Sequence, residues 1–241
     1  MKYCVLFCAL LCFGANLPAA EKNSELPKPA SRTERRIEGW KVLVDDRLLA
    51  PEHDVLGQRA LQILSAELSD IRTVVASNQL QKLHTVSIVL DLTHGKLRPA
   101  QYHPSAEWLE GHGYARALAK CAHIPNAADF ANPRHHHEQP WDVLHELAHA
   151  YHDQVLGFED SEIRRAWERY RESGHGDSVL HIAGRHQRHY ALTDQKEFFS
   201  EMSEAYFGMN DFFPFNHGEL AEAEPEIYAL LKRIWGPLAV K

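Results

Sequence analysis

The chain has 241 residues, 44% of them hydrophobic and 24% charged, with a formal net charge of −7. That length suits one generous domain or two small ones, and the composition argues against a disordered chain. The acidic balance argues against an electrostatic nucleic-acid binder, and only 4 cysteines argue against a disulfide-built scaffold.

Residues 1–20 read as a signal peptide. Lys2 gives a positive start, Tyr3 to Phe13 is apolar, and small residues follow to Ala20. That run is too short to span a bilayer as a mature helix, and no other stretch reaches that length. Neither Cys8 nor Cys12 follows the small residue that a lipid-attachment box requires. The mature protein is therefore expected to be soluble and secreted or periplasmic. Only Cys121 would remain in it.

Residues 21–36, with Pro27, Pro29 and many charges, read as a flexible linker. A single domain is expected over 37–241, without repeats. Trp40 to Val44 predicts a strand. Leu56, Ala60, Ile63, Leu64, Leu68, Ile71 and Val75 keep helical spacing and predict an amphipathic helix over 55–75. His84 to Leu92 predicts a strand. Tyr102 and Ala119 to Ile124 are expected to be extended. Helices are predicted over 140–156, with Pro140 near the start, and over 161–171, 195–207 and 225–235. Between them, 173–187 reads as a Gly- and His-rich loop that could act as a lid. Strands first and helices after predict an α+β fold, a small mixed sheet packed against the 140–156 helix and further C-terminal helices.

Histidine is abundant, 17 residues, and imidazole is the commonest metal ligand among side chains. Residues 145–149 read His-Glu-Leu-Ala-His. On a helix, His145 and His149 lie one turn apart on one face and can converge on a single ion. Glu146 sits beside them as a candidate general base. A catalytic zinc needs a third protein ligand and an open position. His152 is seven residues from His145, about 10.5 Å along a helix axis, too far to share one ion with it. The best third ligand is Glu197. Glu197, Glu201 and Glu204 share a helix face flanked by Phe198, Phe199, Tyr206 and Phe207, odd for a plain solvated stripe. Glu201 is the candidate to accept a ring N–H from His145 or His149 and fix its tautomer. Asp194 or a histidine within 175–189 stays open as an alternative ligand. The run His135, His136, His137 precedes Pro140 and reads as surface.

Together, His145-Glu-Leu-Ala-His149 and Tyr190-Ala-Leu-Thr-Asp-Gln-Lys-Glu197-Phe-Phe-Ser-Glu201 resemble the glutamate-liganded zincin metallopeptidases of the anthrax lethal factor type. The resemblance covers 141–207. It implies a zincin-like domain holding Zn²⁺ through His145, His149 and Glu197, with Glu201 behind the ligands and Tyr190 stabilising the oxyanion. His186 or His189 is an alternative for that last role. It also implies peptide-bond hydrolysis by a metal-activated water, with Glu146 as base and a peptide or protein as substrate. Ala119 to Ile124 is the expected sheet edge along which a peptide would lie. Two other readings stand beside the peptidase: a non-enzymatic exported metal-binding protein, and an inactive zincin-like binding module. Oligomeric state is not legible in the sequence.

Overall fold

The structure, a computed structural model, describes residues 26–239. The predicted export segment lies outside the described residues. Strand β1 (Arg32–Ile37) pairs antiparallel with β2 (Trp40–Asp45) through a tight turn in which Glu38 and Gly39 both have positive φ. The end of the predicted linker is thus a strand. It escapes a hydrophobicity reading because it is a charged edge strand, held by backbone pairing rather than by buried side chains.

Helix α1 (Asp54–Val74) buries Ala60, Leu64, Leu68 and Ile71, the face that its spacing predicts. The chain then forms a short helix, α2 (Ser77–Leu83), and strand β3 (Ile88–Leu90), so the predicted strand is shorter than its apolar run. Strand β4 (Gln101–Tyr102), helix α3 (Ala106–Gly111) and strand β5 (Ala122–Ile124) follow. The sheet order is β1-β2-β3-β5-β4; β2, β3 and β5 are parallel, and both outer strands run antiparallel to their neighbours. The expected edge is therefore corrected. The 119–124 segment contributes an interior strand, and β4 is the edge.

One sheet face, with Trp40, Val42, Val44, Ile88, Leu90 and Ile124, packs into the main core. The other buries Val89 beneath Leu109, Leu118 and Cys121. Short helices α4 (Ala127–Phe130) and α5 (Pro133–Glu138) lead into α6 (Asp142–Tyr151), which begins two residues after Pro140. Its predicted extension to Leu156 is a π-helical turn over His152–Leu156, stopped at Gly157 with φ 86°. Helix α7 (Ser161–Ser173) precedes a small hairpin, β6 (Val179–Leu180) and β7 (His186–Gln187), within the predicted loop. Helices α8 (Gln195–Phe207), α9 (His217–Ala223) and α10 (Pro225–Trp235) complete a mixed α+β chain.

Helix α8 runs through the interior against α6. Phe198, Phe199, Met202 and Tyr206 are buried, Trp235 stacks on Phe199 with ring centroids 5.6 Å apart, and its indole donates to Ser203 Oγ at 2.9 Å. This burial brings the carboxylates of α8 to the histidines of α6.

Candidate metal centre

His145 and His149 stand one turn apart on α6, ring centroids 4.7 Å apart and planes nearly perpendicular at 78°. Glu197 is in the first turn of α8. Asp194 caps that helix, accepting from the backbone N–H of Lys196 at 2.7 Å and of Glu197 at 3.0 Å. With its carboxylate engaged in the cap, Asp194 is not among the residues lining the cleft.

The Nε2 atoms of His145 and His149 lie 3.1 and 3.3 Å from the same oxygen, Glu197 Oε2. Ligands of a tetrahedral zinc, each about 2.0–2.2 Å from the ion, lie roughly 3.3 Å from one another. The donor set fits such an ion in type and in spacing. Burial opposes charging His145, yet its hydrogen bonds to Glu197 and Glu204 hold its pKa well above the usual imidazole value. The same contacts with His145 and His149 hold Glu197 well below the usual carboxylate range, against burial.

The group opens on a cavity of about 480 Å³. Asp142, Glu146, Glu197, Glu201, Glu204 and Asp211 line it, with edge residues Pro99 to Tyr102, and among the described residues no lysine or arginine lines it. Glu146 is buried and its Oε2 has no hydrogen-bond partner. Burial pushes its carboxyl above the usual value, the direction that suits a general base at neutral pH. Tyr190, on a 3₁₀ turn before α8, lines the same cavity and is 48% exposed.

The partner of His145 Nδ1 differs from the expectation. Glu204 Oε1 lies 2.6 Å away, whereas Glu201 Oε1 is at 3.6 Å, beyond hydrogen-bond reach. Glu204, which sequence reading noted only as part of the acidic face, is the carboxylate that orients His145. Burial lifts the Glu204 carboxyl to about 8, and burial and the charge of Glu204 lift that of Glu201 well above its usual value.

The other candidates sit elsewhere. His189 is fully buried, its Nδ1 accepting from the Ala191 N–H at 3.1 Å, and neither it nor His186 lines the cavity. His152 packs between Phe158 and Phe199. His135 and His136 are not a free surface run. Their rings meet Asp142 at 2.7 Å and Glu67 at 3.2 Å, beside the start of α6.

A second group of convergent donors, Asp91, His94 and His123, lies on and beside the central strands. Both rings are 2.7–2.8 Å from Asp91 Oδ2, hydrogen-bond distances, and Arg32 clamps the same carboxylate at 2.7 and 2.8 Å. Burial opposes ionisation of Asp91, but hydrogen bonds from Arg32, His123 and His94 hold its carboxyl far below the usual range. A permanently charged guanidinium already answers that carboxylate, so the cluster ties β1 to β3 and β5 rather than offering a cation site. No protein-family description, curated protein or solved structure matches the chain.

Proposed function

We propose that the protein is an exported zinc-dependent peptidase whose domain is zincin-like. The observation that carries this reading is the convergence of His145, His149 and Glu197 on one point of an acidic cavity, with the unpartnered Glu146 beside them. The resemblance of 141–207 to glutamate-liganded zincins supports it.

His145, His149 and Glu197 would hold a zinc ion, which would supply Lewis acidity towards a water and a carbonyl oxygen. Glu146 takes the proton of the attacking water at its free Oε2 and delivers it to the leaving amine nitrogen. Tyr190 donates its phenolic hydrogen to the oxygen on which charge develops. Burial, reinforced by Glu197, raises the Tyr190 pKa, which keeps that hydrogen in place at neutral pH. Glu204 at Nδ1 holds the His145 ring with Nε2 turned to Glu197, the orientation in which it would serve as a ligand. The edge strand β4, along the cavity wall, offers backbone groups to an extended peptide.

Glu146→Gln tests the reading. Assayed on a diverse peptide library with and without chelator, the wild type cleaves only without chelator. The variant keeps its zinc and loses roughly 10²–10⁴-fold in rate. Unchanged cleavage by Glu146→Gln would remove Glu146 from its role, and a wild type that binds zinc tightly and cleaves nothing would favour the inactive binding module.

A further inference from the structure

The edge strand has only two residues, Gln101 and Tyr102, and one neighbour, β5. Such a strand is poorly held by its ladder alone, yet it forms a wall of the cavity above the metal-binding helix. A second attachment comes from the far end of that helix. The Tyr102 hydroxyl donates to Asp153 Oδ2 at 2.6 Å and accepts from Gln154 Nε2 at 3.1 Å. Asp153 and Gln154 sit on the π-helical turn that follows His149 by a few residues. π-Turns of this kind are uncommon and cluster at functional sites, where they re-aim side chains that a regular helix would direct elsewhere.

Lys120 joins the same cluster. Its φ of 61° is unusual for a residue with a side chain. In that conformation its N–H donates to His103 O at 2.7 Å, just beyond β4, and its ammonium lies 3.6 Å from the Asp153 carboxylate. Tyr102 itself is 9% exposed. Burial and the neighbouring Asp153 push its phenol pKa far up, so it remains a donor at any physiological pH.

We propose that Tyr102 and Asp153 are positioning residues that fix the height of the edge strand above His145, His149 and Glu197, and so set how an extended peptide is presented for cleavage. This rests on the peptidase reading. A long peptide lies along β4 and depends on that height, whereas a short acyl-dipeptide anilide lays fewer residues along it and depends on it less.

The test compares wild type, Tyr102→Phe, Asp153→Ala and Asp153→Asn, all zinc-loaded. For a decapeptide substrate, Tyr102→Phe and Asp153→Ala raise KM about tenfold, the effect of one lost charge-assisted hydrogen bond, with kcat within about twofold. The short anilide, which lays fewer residues along β4, shows a smaller rise in KM in the same two variants. Asp153→Asn retains a neutral acceptor oxygen and gives a KM between those of Asp153→Ala and wild type. Amide hydrogen exchange, which needs no activity, is faster over 99–103 in Tyr102→Phe and Asp153→Ala and unchanged over β1, β2 and α6. Equal losses on long and short substrates, or unchanged exchange over 99–103, would overturn the proposal. A wild type that cleaves neither substrate would sink the peptidase reading, and the exchange data would then decide the clamp alone.

Discussion

At the scale of single residues, the account turns on which atoms of His145 face what. Nε2 faces Glu197 and Nδ1 faces Glu204. Removing the outer carboxylate of such a pair weakens metal binding by about 10–100-fold. Glu204→Gln, which keeps the shape and lowers acceptor strength, should weaken zinc affinity within that range in a competition titration with a chelator. Glu201→Gln should change it far less; the opposite ranking would return Glu201 to the orienting role. That His145 and His149 share a face was legible because a helix repeats every 3.6 residues; Glu197 stands on a second helix and was reached through its acidic face and the resemblance. Glu204 was legible only as a member of an acidic face. Whether residue 201 or 204 meets the ring depends on how α8 crosses α6, which no local spacing encodes.

At the scale of elements, helices α6 and α8 must meet closely for the ligands to converge. Gly208, just after α8, is where Trp141, just before α6, comes against the backbone. A Cβ built there would lie 2.0 Å from the indole. Gly208→Ala should therefore destabilise the fold by about 1–3 kcal/mol, measured by chemical denaturation. Full stability would show that the Trp141 ring can move aside freely. The long amphipathic helix α1 was readable in the sequence because burial repeats along it, whereas α8 is buried on every side over Phe198 to Phe207. The short elements were not readable. Strand β1 carries charges and only backbone pairing, β4 is two residues long, and the π turn after α6 leaves no sequence period of its own.

At the scale of the whole molecule, the helical half carries buried histidines that only a neutral ring tolerates. His152 lies between Phe158 and Phe199, both ring nitrogens without partners, and burial, with His149 beside it, holds its pKa down to about 4. In the unfolded chain the value is about 6.5. Above pH 6.5 both states are neutral and the contribution to stability is fully present. As pH falls from 6.5 towards 4 the unfolded chain takes up a proton that the folded one refuses, and stability declines by up to about 1.4 kcal/mol per pH unit. His152→Phe should flatten the profile of denaturation free energy over that window; an unaltered slope would place the proton uptake on other groups. The α+β architecture was legible from element order, whereas the position of the sheet edge was not, because parallel and antiparallel neighbours are chosen by non-local pairing.

Whether three side chains from two helices hold one ion is read out by calorimetric zinc titration. One tight equivalent is expected for the wild type, lost in His149→Ala and Glu197→Ala and retained when His135, His136 and His137 are replaced together by Gln. Several weak equivalents that vanish with the 135–137 replacement, or undiminished tight binding in Glu197→Ala, would contradict it.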